Sequence, residues 1–154
     1  MTDLKALLQS DLTHAIRSRD EVTAATLRMA LTAVTTEEVA GAKARVLSNG
    51  EVVAVLSREA KRRREAADAF LAAGRVDLAD RETAELAVLA GYLPAPLEES
   101  DVADLVAAAV AEAAEAGVTG MPAMGRVMKQ VSATTAGRFD GARLAAMVRS
   151  ALTA

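Results

Sequence analysis

Positively charged side chains form two clusters that could bind an anion. The first lies in one stretch that is predicted to be helical and contains Arg58, Lys61, Arg62, Arg63 and Arg64. At about 100° per residue, Arg58, Lys61 and Arg62 share one helix face, whereas the other two spread around the cylinder. These cations could pair with nearby carboxylates on a solvated face, or they could bind nucleic-acid phosphates and release counterions. The spacing alone leaves both interpretations open.

The second cluster lies near the end of the chain. Arg126 and Lys129 are three residues apart on a predicted helix, and Arg138 and Arg143 flank the predicted start of the next one. The free N–H groups and the macrodipole at a helix start also favour anions, so side chains and helix end could converge on one phosphate. The alternative is an ordinary charged surface. The predicted phosphate contacts of both clusters are Lys61, Arg62, Arg63, Arg126, Lys129, Arg138 and Arg143.

Catalytic groups are hard to find in this sequence. The absence of cysteine excludes thiolate zinc sites and cysteine nucleophiles, and the single histidine, His14, cannot build a multi-histidine metal centre. The adjacent acids Glu37-Glu38 and Glu98-Glu99 point about 100° apart on a helix, so neither pair surrounds a common substrate atom. No nucleophile elbow, P-loop or dinucleotide-binding glycine motif is present. We therefore expect no catalytic residue, no metal and no cofactor.

The charge distribution is more informative than the net charge of −3. Residues 76–116 contain ten acidic side chains and one basic side chain, whereas residues 117–154 contain five basic side chains and one acidic side chain. The acidic region 77–115 is a candidate surface for a basic protein partner, and the basic end is a candidate surface for a polyanion. Aromatic residues make up only 2% of the chain, so any nucleic acid would be recognised by shape and backbone rather than by base stacking.

Composition and periodicity predict an all-α protein in two parts. The chain is rich in alanine, the best helix former, and poor in the aromatic residues that strands favour. About four helices are predicted in an N-terminal domain, residues 1–91, and three in a smaller C-terminal domain, residues 98–154. Residues 92–97 form the predicted linker, because Pro94 and Pro96 prevent helix continuation. No signal peptide or membrane-spanning segment is predicted, and a cytoplasmic location is expected.

Local sequence signals predict where individual helices begin and end. The first helix should run from Thr2 or Asp3 to Arg19, with a stripe of Leu4, Leu8, Leu12 and Ile16 facing inward. Three N-terminal caps are predicted, from Asp20, from a Ser48–Glu51 capping box and from Asp140. Pro122 is expected in the first turn of the sixth helix, which should end at Gly137.

Several segments, in this order, resemble the YqeY family over essentially the whole chain. In the first half they are Arg58–Glu65 (REAKRRRE), Ala73–Ala79 (AGRVDLA), Ala84-Glu85-Leu86 and Tyr92-Leu93-Pro94. In the second half they are Met124–Lys129 (MGRVMK) and Gly137–Gly141 (GRFDG). This second part is also similar to the tail domain of GatB, a subunit of the glutamine-dependent amidotransferase that acts on mischarged Glu-tRNA and Asp-tRNA.

The resemblance implies an all-α fold and a link to tRNA-dependent amidation, since the GatB tail is held to help recognise tRNA. It does not imply catalysis, because the amide-transfer and glutaminase chemistry belongs to parts of the amidotransferase that have no counterpart here. A label of carbon–nitrogen ligase would be inherited through the shared domain. Three hypotheses follow: a non-catalytic module that binds tRNA, a protein–protein adaptor, and an accessory subunit of an amidotransferase complex.

Overall fold

The computed structural model describes residues 3–135 and 138–154, and all regular secondary structure in these residues is helical. This confirms the predicted all-α class. A 3₁₀ turn at Met121–Ala123 directly precedes α6. The α-helices are α1 (Leu4–Ser18), α2 (Glu21–Glu38), α3 (Asn49–Ala72), α4 (Val76–Ala90), α5 (Glu99–Glu115), α6 (Met124–Thr135) and α7 (Gly141–Thr153).

The chain divides into two compact units, Met1–Leu93 and Pro94–Ala154. The first contains α1 to α4, and the second contains α5 to α7. Tyr92 and Leu93 pack against the core of the first unit, and Leu97 packs against the core of the second. Much of the predicted linker 92–97 is therefore anchored, because its apolar side chains gain more from burial than from exposure. Pro94, Ala95 and Pro96 are exposed.

The helix starts follow the local sequence signals closely. The Asp20 carboxylate accepts a hydrogen bond from Thr23 N, and Asp140 accepts one from Arg143 N. Ser48 and Glu51 form a reciprocal capping box at the start of α3. These three predicted caps are confirmed, since each satisfies backbone N–H groups that have no partner within the helix. Two predicted boundary residues, Thr2 and Gly137, lie outside the described residues.

Two local predictions differ from the structure. Ile16 is 48% exposed, whereas its neighbour Ala15 is only 3% exposed. At 100° per residue a four-residue spacing drifts by about 40° per step, so in the last turn the buried face passes through Ala15 instead of Ile16. Pro122 lies in the 3₁₀ turn that precedes α6 rather than inside α6. A proline fits there because the first residues of a helix need no intrahelical N–H donor. The turn also places Ala123, which is fully buried, in the core of the second unit.

The core of the first unit contains large aliphatic side chains from all four helices. Leu8, Leu27, Leu56 and Leu89 are each at most 1% exposed. Truncating such a leucine to alanine typically costs about 2–5 kcal/mol of stability. The helix pair α3–α4 provides the most extensive packing within this unit. It holds the basic run of α3 in a fixed orientation.

The core of the second unit is built mainly from valine and alanine. Val102, Val106 and Ala109 of α5 face Val127 and Val131 of α6, and α7 contributes Leu144 and Val148. These buried positions recur every three or four residues, which defines one inward face for each helix. The same periodicity fixes the outer faces of α6 and α7, and the cations of these two helices lie on those faces.

Candidate nucleic-acid interface

Most of the α3 cations form ion pairs with the acidic residues around them. Arg58 Nη2 lies 3.1 Å from Glu37 Oε2 on α2, and Arg62 Nη1 lies 3.1 Å from Glu59 Oε1 on its own helix. The Arg62 side chain is nevertheless 74% exposed. Lys61 is also exposed. Exposed ion pairs contribute little to stability, so this part of the run resembles a solvated, largely neutralised helix face.

Arg63 lies inside the first unit, with only 5% of the residue exposed. Its Nη1 atom is 3.2 Å from Glu59 Oε2, and its Nε atom is 3.4 Å from Glu85 Oε2 on α4. Its Nη2 atom donates to the sulfur of Met29 at 3.4 Å. The predicted phosphate contact by Arg63 does not fit this position, because its guanidinium is shielded from solvent and surrounded by the protein's own acceptors. Arg63 links α2, α3 and α4 instead.

A signal for this burial exists in the sequence. Leu56, Ala60, Arg63 and Ala67 follow at intervals of four, three and four residues, and all four are buried. Arg63 therefore lies on the apolar face of α3, which the run of consecutive basic residues obscures. Glu85, its partner 22 positions away, is likewise buried on α4. A charged residue on the apolar face of a helix predicts a buried charge, which requires a partner of opposite sign elsewhere in the fold.

Charge is strictly separated among the helices of the second unit. Helix α5 contains five acidic residues and no basic residue. Helices α6 and α7 contain two basic residues each and no acidic residue. Arg126, Lys129 and Arg149 therefore lack the carboxylates at three- and four-residue spacing that neutralise the α3 run.

Arg126 and Lys129 are exposed on α6, one turn apart, while the neighbouring Val127 and Val131 face the core. Arg149 is exposed on α7. Within residues 3–135 and 138–154, none of these three cations has an ion-pair partner. Arg149 is not among the predicted site residues, although its position on a helix without acidic residues would have indicated that it belongs with them.

Arg138 has a structural role at the start of the second unit. Its Nε atom donates to the Ala95 carbonyl at 2.9 Å, and its own carbonyl accepts from Leu97 N at 2.8 Å. These bonds fix the proline-containing segment before α5 against the turn before α7. The predicted phosphate contact by Arg138 would have to use the remaining N–H groups of its guanidinium.

Arg143 lies in the first turn of α7 and is paired with a carboxylate. Its Nη2 atom forms an ion pair with Glu99 Oε1 in the first turn of α5. The hydrogen bond from Arg143 to Glu99 raises the pKa of the arginine, whose charge is permanent at any physiological pH. The Arg143 backbone N–H donates to the Asp140 cap at 2.8 Å. The predicted anion site at the start of α7 is thus already filled by two carboxylates of the protein itself.

The predicted residues consequently fall into separate groups. Arg126 and Lys129 are neighbours on one exposed helix face, and Arg138 and Arg143 lie near the start of α7. Arg62 and Lys61 belong to the first unit, where Arg63 is buried. No group of acidic or histidine side chains in the described part of the chain could hold a metal ion.

Comparison with known proteins identifies the family. A family model described as Yqey-like protein matches residues 5–152, which is nearly the whole chain. The chain belongs to the YqeY family. The resemblance inferred from the sequence is therefore confirmed for this family.

Two relatives of this YqeY protein come from fungi. A protein of Eremothecium gossypii named "Altered inheritance of mitochondria protein 41, mitochondrial" is 32% identical over 154 residues, which cover 99% of this chain and 82% of that protein. An uncharacterized protein of Schizosaccharomyces pombe is 30% identical over 93 residues, which cover 60% of this chain and 73% of that protein. Neither name states a ligand or a reaction.

Among residues 3–135 and 138–154, no helix combines the length and the apolar character needed to cross a bilayer.

Proposed function

We propose that this YqeY protein is a non-catalytic helical module that binds tRNA through the cations of α6 and α7. One observation carries the proposal: Arg126, Lys129 and Arg149 are exposed on helices without a single acidic residue. Cations that are not already paired can neutralise phosphates and release counterions, which is the main source of affinity for a nucleic-acid backbone.

The same residues indicate how the RNA would be recognised. Stacking platforms require exposed aromatic rings, and the three aromatic residues of the chain, Phe70, Tyr92 and Phe139, are all half-buried. Tyr92 also donates its hydroxyl proton to Asp11. Exposed lysine and arginine side chains on a helix instead contact the phosphate backbone and recognise the shape of a folded RNA. A folded tRNA fits this chemistry, and the resemblance of the second unit to the GatB tail points to the same ligand.

Charge reversal at Arg126 tests the proposal. Binding of bulk tRNA to the full chain would be measured at several salt concentrations for the wild type and for Arg126→Glu. Arg28→Glu, on an exposed face of α2, is the matched control because it makes the same charge change in the first unit. We expect Arg126→Glu to weaken binding and to reduce the slope of log K against log salt by about 1, while Arg28→Glu changes both less. Equal effects of the two substitutions would reject a site on α6.

Participation in amidation is a separate part of the proposal. As an accessory of an amidotransferase complex, the protein would change tRNA-dependent amidation when it is added to the purified enzyme. The chain itself would neither hydrolyse glutamine nor form a carbon–nitrogen bond. Turnover of glutamine by the isolated protein would contradict the non-catalytic assignment.

A protein adaptor is the second candidate, and α5 favours it. Asp101, Asp104 and Glu115 are exposed on this helix and have no ion-pair partner among the described residues. Such a surface suits a basic protein partner. A partner retained after nuclease treatment, and lost on substitution of these acids but not of Arg126, would favour the adaptor over tRNA binding. The predicted cytoplasmic location belongs to the same proposal and can be tested by fractionation.

A further inference from the structure

Two carboxylates cover the start of α7, but they have different origins. Asp140 is the helix cap and is bonded to the Arg143 backbone N–H, so it belongs to the fold of α7 itself. Glu99 comes from α5, 44 residues earlier in the chain, and binds the Arg143 guanidinium. A cap stabilises its own helix, whereas the Glu99 contact stabilises no backbone group. The Glu99–Arg143 pair therefore needs a separate explanation.

The environment of this pair makes it exchangeable. The Arg143 and Glu99 side chains are 54% and 58% exposed. Ion pairs with this exposure add little to stability, because water and salt screen them. By contrast, the Arg63 and Glu85 side chains are only 6% and 9% exposed, and separating them would leave buried charges. Arg143 can change its partner at small cost, whereas Arg63 cannot.

A guanidinium binds phosphate with the same fork geometry that it uses for a carboxylate. Glu99 therefore occupies the position that a phosphate would take on Arg143, which is the one residue of α7 predicted to contact phosphate. From this arrangement we infer that Glu99 is a carboxylate gate, an inference that rests on the proposed function. It occupies Arg143 in the free protein and must be displaced before Arg143 can bind RNA phosphate.

The gate affects selectivity. A single phosphate that replaces Glu99 gains one contact and loses one, so the free protein gains little from binding inorganic phosphate or a mononucleotide. A polyanion already held by Arg126 and Lys129 presents its phosphates at high effective concentration and can displace Glu99. Glu99 therefore favours polyanions with many phosphates over small anions.

Neutralising Glu99 without changing its shape tests the gate. Glu99→Gln would be compared with Asp101→Asn, which removes one negative charge from the same first turn of α5 but breaks no described ion pair. Both variants change the net charge and the helix-end electrostatics alike. We expect Glu99→Gln to tighten bulk tRNA binding about fivefold and Asp101→Asn to tighten it less than twofold. Equal effects of the two substitutions would overturn the gate.

A double-variant cycle shows whether the effect passes through Arg143. Arg143→Gln alone should change tRNA affinity less than twofold, because in the wild type Arg143 gains its phosphate contact only by losing its contact with Glu99. In the Glu99→Gln background, Arg143→Gln should abolish the fivefold gain. A gain that survives without Arg143 would overturn the gate. Glu99→Gln should also bind inorganic phosphate measurably, whereas Asp101→Asn should not. Equal phosphate binding by the two variants would contradict the proposed gate.

These results separate the gate from the proposed function. If Arg126→Glu weakens tRNA binding but Glu99→Gln matches Asp101→Asn, the gate fails and the tRNA-binding proposal stands. If the wild type binds no tRNA but Glu99→Gln does, the gate is supported in a stronger form. If none of the variants binds tRNA, both proposals fail. Circular dichroism of each variant verifies that the helices are retained.

Discussion

The basic residues of α3 and those of α6 and α7 resemble one another in sequence but differ in their surroundings. On α3, Arg58, Arg62 and Arg63 all contact glutamates. On α6, Arg126 and Lys129 have no ion-pair partner in the described part of the chain. The denser cluster is therefore the poorer candidate for phosphate binding. The number of cations matters less than the placement of the acids around them.

The difference also separates two uses of arginine. Arg63 is buried between α2, α3 and α4 and stabilises the packing of three helices. Arg126 and Lys129 contribute nothing comparable, because they project from the outer face of a helix. Stability measurements and binding measurements should consequently respond to different residues.

Removing Arg63 should have the largest effect. Arg63→Ala removes the buried guanidinium shared by Glu59 and Glu85, which keep only their exposed partners, Arg62 and Arg81. Because the buried ion pairs are lost, we expect a loss of about 3 kcal/mol in the free energy of unfolding. Arg62→Ala, which removes a mostly exposed guanidinium from the same Glu59, should cost less than about 1 kcal/mol. Urea unfolding followed by circular dichroism measures both. Similar losses would show that Arg63 is no more structural than its neighbour.

The pH dependence of the first unit should depend on Lys5. Lys5 Nζ lies 2.7 Å from Glu38 Oε2, and this hydrogen bond lowers the pKa of Glu38. A carboxyl group whose pKa is lowered by folding stabilises the protein above its unfolded-state pKa, and that contribution is lost as the pH falls through its folded-state pKa. We expect the wild type to lose stability as the pH falls from the unfolded-state pKa of Glu38 through its lower folded-state pKa.

In Lys5→Met, this loss between neutral and acidic pH should be smaller, because the variant already lacks the ion pair at neutral pH. Lys43→Met is the control, since Lys43 is exposed and has no ion-pair partner among the described residues. Urea midpoints measured across the pH range would reveal the difference. Parallel curves for the two variants would contradict the assigned role of the Lys5–Glu38 pair.

Removing the α6 cations should have the smallest effect on stability. Arg126→Gln and Lys129→Gln delete charges that have no described partner, so each should change the free energy of unfolding by less than about 0.5 kcal/mol. The same variants should weaken tRNA binding. A large loss of stability would mean that these side chains are structural, and it would remove the contrast with Arg63.

The sequence predicted the local features of the fold well. Asp20, Ser48 and Asp140 cap helices because a short polar side chain next to a helix start satisfies free N–H groups, and this depends only on nearby residues. The Arg63–Glu85 and Arg143–Glu99 pairs depend on which helix faces meet, and the partners lie 22 and 44 positions apart. Charge spacing along the chain cannot reveal such pairs. The apolar register of Arg63 could have predicted its burial, although not its partner.

The two units differ in intrinsic fluorescence, because the single tyrosine lies in the first unit. Tyr92 packs on the first core and hydrogen-bonds to Asp11 at 2.6 Å, and the chain contains no tryptophan. Burial and this hydrogen bond to Asp11 raise the pKa of the Tyr92 phenol. Intrinsic fluorescence therefore reports on the surroundings of Tyr92 in the first unit. Melting of the second unit, which has neither chromophore, must be followed through the far-ultraviolet signal of its peptide bonds.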